Sequence, residues 1–208
     1  YGVDFKELQS VCNSHPRVNL HSAGPGVGGP CLPKDPILLL SPHGKDVIDS
    51  KIIRYARAIN DSMPEHVVDL VMKGLSYHGK SVNGSKIAIW GVAYKANISD
   101  TRLSPADPII SKLIQKGSEV SVFDPFSNES FGAIKTHDMW DAVTGRDGLV
   151  IVTDHDIFRN ADLDIIKSKL ATPIIIDTRR TLDGKLANSK SFTYLAVGYT
   201  RAKNETTK

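Results

Sequence analysis

Apolar residues recur along this chain in two different rhythms. Between residues 45 and 78, Ile48, Ile52, Ala56, Ile59 and Met63, and then Val67, Leu70, Val71 and Leu75, fall three or four positions apart, the spacing that puts them on one face of a helix. Pro64 sits between the two stripes and has no N–H for the helical ladder, so the pattern predicts either a kink or two helices. From Lys86 onward the rhythm changes to short continuous apolar runs: Ile87 to Trp90, Val120 to Phe123, Leu149 to Val152, Ile174 to Ile176 and Tyr194 to Val197. Such runs read as strands buried on both faces, and the helical stretches between them imply a mostly parallel sheet in an α/β fold.

The turn-like run Gly79 to Ser85 separates the two regimes and predicts a boundary, with a helical connecting segment over 1–80 and a sheet domain over 81–208. Ser104-Pro105-Ala106-Asp107 predicts a helix start with Ser104 as the cap. The loop Gly91 to Lys95 then lies at the carboxyl edge of the first strand, where open α/β sheets bind ligands. Tyr1 to Phe5, with no initiator Met, reads as the middle of a helical segment and suggests that sequence precedes it. The polar stretch from Arg201 to Lys208 is expected to fray.

Composition narrows the class without naming a function. Forty per cent hydrophobic and 24% charged residues fit an ordinary folded chain. No apolar run approaches the roughly 18 residues of a spanning helix, so a membrane protein is not expected. A net charge of +3, with cations and anions interleaved, does not make a nucleic-acid surface, and any anionic ligand must be held by local groups. Two cysteines, Cys12 and Cys31, and no signal peptide point away from a disulfide framework and towards a cytoplasmic setting.

The densest chemistry lies in Ala23-Gly24-Pro25-Gly26-Val27-Gly28-Gly29-Pro30-Cys31-Leu32-Pro33-Lys34-Asp35-Pro36. Glycines 24, 26 and 29 satisfy G-x-G-x-x-G, but a dinucleotide fingerprint needs a strand before it and a helix opening at the third glycine. Pro30, Pro33 and Pro36 forbid that helix. Glycines let backbone approach a ligand and prolines hold the loop still, which suits a nucleophile mount. Lys34 would favour a thiolate at Cys31, and Asp35 could activate water. Cys12 has no such setting and reads as filler.

Gly-Pro-Gly-Val-Gly-Gly-Pro-Cys-Leu-Pro-Lys-Asp-Pro resembles the catalytic loop of the UDP-glucose/GDP-mannose dehydrogenase family. With the lead-in Pro16-Arg17-Val18-Asn19 it is nearest the branch that acts on UDP-N-acetylmannosamine. Gly91-Val92-Ala93-Tyr94-Lys95 with Asp100-Thr101-Arg102, and Asp177-Thr178-Arg179-Arg180, match the same family in the same order. The resemblance implies a Rossmann-like sheet domain that binds a UDP-sugar, and oxidation of the sugar C6 hydroxyl twice with NAD. It implies a homodimer or larger homo-oligomer. By the same resemblance Cys31 is the nucleophile that forms a thioester and Asp35 activates water. Lys34 and Arg102 stand near NAD, Arg102 in a partner's site, and His155 matches a family position read as structural. Arg17, Asn19, His21, Gly24, Gly26, Gly28, Tyr94, Lys95 and Arg179 match substrate contacts, with Arg17 reaching a neighbouring subunit. An N-terminal NAD-binding domain and a helix with a catalytic lysine and asparagine, which the family requires, are not among these residues, so a fragment that is inactive alone is expected.

Two other readings stay open from the sequence. One is a stand-alone nucleotide-binding module with a structural cysteine loop. The other is a thiol acyl-transfer or hydrolase domain, which needs a histidine base near Cys31; His15, His21 and His43 are available.

Overall fold

The computed structural model describes residues 2–40 and 50–199; His43, Ile48 and the polar stretch from Arg201 lie outside them. Six parallel strands form the sheet: β1 (Lys86–Trp90), β2 (Glu119–Phe123), β3 (Ile134–Lys135), β4 (Gly148–Ile151), β5 (Ile174–Asp177) and β6 (Thr193–Ala196). They lie in the order β3-β2-β1-β4-β5-β6. This is the doubly wound, Rossmann-like order, and the chain reverses direction between β1 and β4. Five strands coincide with the apolar runs. The sixth, β3, is two residues long and leaves Ile134 exposed, so it carries no apolar run to find.

Alternation along each strand divides the core in two. On β1, Ile87 and Ile89 face helices α3 (Lys51–Ser76) and α4 (Ala106–Gln115), whereas Ala88 and Trp90 face the opposite layer. That layer holds α5 (Met139–Val143), α6 (Asp156–Arg159), α7 (Leu163–Lys169) and α8 (Gly184–Ser189). Trp90 is fully buried, stacks on Phe158 at 4.9 Å and donates its Nε1–H to the carbonyl of Met139 at 3.0 Å. The indole thus buries its area with its polar atom satisfied.

Helix α3 runs unbroken through Pro64, so the two stripes belong to one helix. They differ in what they meet. Val67, Val68, Val71 and Leu75 are buried against the sheet, each stabilising by about 1.5–3 kcal/mol. Ile52 and Ile59 on the first half are 82% and 67% exposed. Pro64 offers no N–H to the carbonyl of Asn60, one turn back.

Two local expectations are corrected. Residues 2–4 are not helical: helix α1 (Phe5–Asn13) starts after them, with Asp4 as its cap in extended conformation and a carboxylate accepting from Lys6 and Glu7 N–H. Helix α4 starts one residue later than expected, with Pro105 in the cap position; Ser104 Oγ still accepts from Ala106 N–H at 3.2 Å.

At the carboxyl edge the neighbouring strand ends are tied together. Gly91, at φ +87°, crosses so close to β4 that a Cβ there would stand 2.4 Å from Cβ of Thr153. Asp124, just past β2, turns its buried carboxylate inward to the N–H groups of Val92 (2.7 Å) and Ala93 (3.1 Å) and to His155 Nε2 (3.0 Å). Burial pushes this carboxyl up, but the bonds from His155, Val92 and Phe126 outweigh it and hold the pKa at about 2.

Two outcomes follow for stability. Gly79, at φ +66°, opens onto free space, with nothing within 4 Å of where a methyl would stand, so Gly79→Ala meets only the backbone penalty. Gly91→Ala adds a collision, and in urea denaturation it is expected to cost at least about 3 kcal/mol against about 1 kcal/mol for Gly79→Ala. Equal costs would show that β1 and β4 do not approach this tightly. Asp124 has a folded pKa below its ordinary 3.8, so its contribution is full above 3.8 and is lost as the pH falls through about 2. Asp124→Asn should therefore destabilise by about 2 kcal/mol at pH 7. Denaturation curves of the two proteins should converge between pH 4 and pH 2, and a gap independent of pH would contradict the assignment.

Candidate active site

The glycine loop is seated by contacts with its own protein. Val27 N–H donates to Asn60 Oδ1 at 2.9 Å, and Gly26, at φ +123°, lies over the Asn60 carbonyl that Pro64 leaves without a helical donor. Gly29 N–H donates to the carbonyl of Arg102 at 2.9 Å. A Cβ on Gly28 would fall 2.5 Å from the Leu103 carbonyl oxygen, and one on Gly29 would fall 2.9 Å from the Tyr94 ring. A Cβ on Gly24 would meet Arg179 Nη1 at 2.5 Å. The close approaches these glycines make are thus to Tyr94, Leu103, Arg179 and helix α3. A pocket of about 400 Å³ remains between the loop, α3 and the start of α4, with Lys34, Arg57 and Asp61 at its walls.

Cys31 ends the loop and is exposed. Its carbonyl accepts from Lys34 N–H at 3.0 Å and Asp35 N–H at 2.8 Å, so the chain winds directly from the thiol into the short helix α2 (Asp35–Leu39). Lys34 Nζ bonds Asp35 Oδ1 at 2.5 Å, and this bond raises the lysine pKa above its usual value, with negative charge on Cys31 adding to it. Arg102 is raised in the same way, first by its bonds to Asp100 and also by Cys31. Two cations therefore stand within electrostatic reach of the thiol.

On the sheet side, Tyr94 is half-buried and Lys95 is exposed. Arg179 is largely buried, its Nε has no partner among the described residues, and burial pulls its pKa down against the attraction of Asp154. It lines a groove of about 220 Å³ with Lys6, Gln9, Ser22 and Arg180. A guanidinium held out of water with an open bonding position suits a negatively charged or carbonyl-bearing ligand. Asp177 holds the turn in place: its carboxylate, pushed up by burial, accepts from Arg179 N–H (3.1 Å), Leu182 N–H (2.8 Å) and Tyr194 OH (3.1 Å).

The structure thus gathers Gly24, Gly26, Gly28, Cys31, Lys34, Asp35, Tyr94, Arg102 and Arg179 around one loop. Arg17, Asn19 and His21 are exposed on the lead-in, which Gln9 and Asn13 tether through the backbone of Leu20. Among the described residues none of their side chains bonds to the glycine loop. His15 receives the N–H of Arg17 on Nδ1 and His21 is exposed on the lead-in; among the described residues neither histidine is hydrogen-bonded to Cys31. Asn60, Asp124 and Thr153 take part without standing out in the sequence; an acid directly after an apolar run, as at Asp124-Pro125, is the available signal.

Comparison with known proteins places the chain in a family. Residues 1–62 match the central domain, and residues 88–184 the UDP binding domain, of the UDP-glucose/GDP-mannose dehydrogenase family. The UDP-N-acetyl-D-mannosamine dehydrogenase of Methanocaldococcus jannaschii is 38% identical over 200 residues, covering 95% of this chain and 44% of that protein. The UDP-glucose 6-dehydrogenase of Rickettsia bellii is 36% identical over 95% of this chain and 47% of its own length. The solved UDP-D-ManNAc dehydrogenase of Pyrococcus horikoshii superposes with a TM-score of 0.84 at 35% identity, over 95% of this chain and 45% of that one. The chain therefore spans less than half the length of these relatives. With two domains matched in sequence order and the same fold at this level of identity, it belongs to the UDP-glucose/GDP-mannose dehydrogenase family.

Proposed function

We propose that this chain supplies the thiol-bearing, UDP-sugar-binding part of an NAD-dependent nucleotide-sugar 6-dehydrogenase, of the UDP-N-acetylmannosamine or UDP-glucose type. The observation that carries the reading is the seating of the Cys31 loop on Tyr94 and Arg102, which puts a thiol beside cations at the carboxyl edge of a Rossmann-like sheet. In this reading Tyr94, Lys95 and Arg179 hold the nucleotide diphosphate, and Gly24, Gly26 and Gly28 shape the floor below it. Asn19 and His21 border the same substrate, and Arg17 extends to the substrate of a second copy. The exposed face of Ile52, Tyr55 and Ile59 on α3 suits a homodimer contact.

The sheet itself does not fit NAD. A dinucleotide turn offers free backbone N–H groups to a pyrophosphate. Here those of Val92 and Ala93 are already taken by the Asp124 carboxylate. NAD, which accepts the hydride in each oxidation, is therefore assigned to parts of the enzyme outside these residues, with Lys34 and Arg102 on its near side.

The residues of this chain act on carbon 6 of the sugar. Cys31 Sγ adds to the aldehyde carbon, and the proton lost from sulfur moves to the carbonyl oxygen. After oxidation, water attacks the thioester carbon and the C–S bond breaks, releasing the acid and restoring the thiol. Lys34 and Arg102 favour negative charge on sulfur in both steps. Asp35 takes the proton of the attacking water through the carboxylate oxygen that Lys34 does not hold.

Calorimetry on the 208-residue chain should detect UDP binding and almost no NAD binding. Arg179→Ala should weaken UDP binding by about 10- to 100-fold, the loss expected for bonds to a charged partner. Tight NAD binding with no response to UDP would overturn the reading. In a dehydrogenase carrying this sequence as its C-terminal part, Cys31→Ser should stop uronic acid formation, as followed by product chromatography. An undiminished rate would make the loop structural.

A further inference from the structure

Residues 91–103 carry Tyr94, Lys95 and Arg102, yet they form neither helix nor strand. Side chains from the neighbouring strand ends hold them. Asp124 takes the N–H of Val92 and Ala93, and Thr153 Oγ1 donates to the carbonyl of Ala93 at 2.6 Å. Four residues on, Asn97 N–H donates to His155 Nδ1 at 2.9 Å. A backbone N–H only donates, so Nδ1 is the bare nitrogen, Nε2 carries the proton, and Nε2 donates to Asp124. His155 is fully buried and uses both ring nitrogens, one to each end of the segment. Asn97 sits at φ +61° and exchanges two bonds with Asp156, its Nδ2 donating at 2.8 Å and its Oδ1 accepting at 3.1 Å.

The clamped stretch leads straight to the glycine loop. Tyr94 N–H donates to the Asp100 carbonyl, Asp100 grips the Arg102 guanidinium, and the Arg102 carbonyl accepts from Gly29. The Tyr94 ring fills the space that Gly29 leaves open. One continuous set of bonds and contacts therefore runs from Asp124 and His155 to the residue two places before Cys31.

We propose that Asp124, Thr153 and His155 are positioning residues, which hold the Tyr94–Lys95 segment in register and through it seat the loop that presents Cys31. The functional weight of this relay rests on the reading of Tyr94 and Lys95 as UDP-sugar contacts, whereas the mechanical coupling does not.

His155→Phe keeps a ring between Phe126 and Phe158, which lie 5.1 and 5.5 Å away, and removes both nitrogens. Residue-resolved amide exchange by NMR on the 208-residue chain should show Asn97 and Gly29 exchanging about tenfold faster, as for the loss of one buried bond, with β5 amides unchanged. A general loss of stability would instead raise exchange in β5 as well. The affinity for UDP should fall by a similar factor. Unchanged exchange at Gly29 in a folded His155→Phe protein overturns the relay. Where His155→Phe does not fold, Thr153→Val removes one hydroxyl at constant shape, and its smaller acceleration at Gly29, about threefold, serves the same purpose; no acceleration overturns the proposal. If the unsubstituted chain does not bind UDP, the reading of the site fails, and the exchange data still decide the coupling.

Discussion

The site depends on how closely the glycine loop lies against the β1–α4 connection. Gly28 and Gly29 have no space for a side chain beside Leu103 and Tyr94, and Gly29 donates to the Arg102 carbonyl. Any larger residue would push the loop off the sheet edge and carry Cys31 with it. The same approach fixes the Arg102 backbone against Gly29, so one steric constraint sets the position of the Cys31 thiol relative to the β1–α4 connection. Proline supports this from two sides. Pro30 and Pro33 stiffen the loop, and Pro64 frees a helix carbonyl where Gly26 docks.

A doubly wound sheet usually offers a phosphate cradle at the turn after its first strand. In this chain a carboxylate occupies that role. Asp124 satisfies the N–H groups of Val92 and Ala93, and the cations that could meet an anionic ligand, Lys95 and Arg179, stand further along the edge. Arg179 is held there by a buried acid, Asp177, and kept poorly hydrated, which strengthens any charge-assisted bond it makes to a ligand. The fold alone therefore misdirects a functional reading, because strand order suggests one ligand position and the polar groups another.

Much of the framework is legible in the residues. Continuous apolar runs mark strands whose two faces are both covered, which is why β1, β2, β4, β5 and β6 can be read and the two-residue β3 cannot. The α3 stripe is legible as periodicity, but periodicity does not say what covers it: Val67 and Leu75 pack on the sheet, whereas Ile52 and Ile59 stay exposed. Cys31, Lys34 and Asp35 can be found because they are adjacent in sequence. Asp124 and His155 meet only through folding, 31 residues apart, and His155 shows its role only once both of its nitrogens are seen to be engaged. The glycines are expected from sequence to admit a ligand, yet their nearest neighbours are Tyr94, Leu103 and Arg179, a distinction that spacing cannot make.

The central proposal is that Cys31 binds carbon 6 of the sugar covalently through the second oxidation, leaving a thioester that water then releases. Acid quenching of a dehydrogenase carrying this sequence during turnover of its UDP-sugar, followed by peptide mass spectrometry, tests it directly. The account predicts that the peptide containing Cys31 gains the mass of the UDP-uronyl acyl group and loses it on treatment with hydroxylamine. Steady acid formation with Cys31 unmodified at every time point would contradict it.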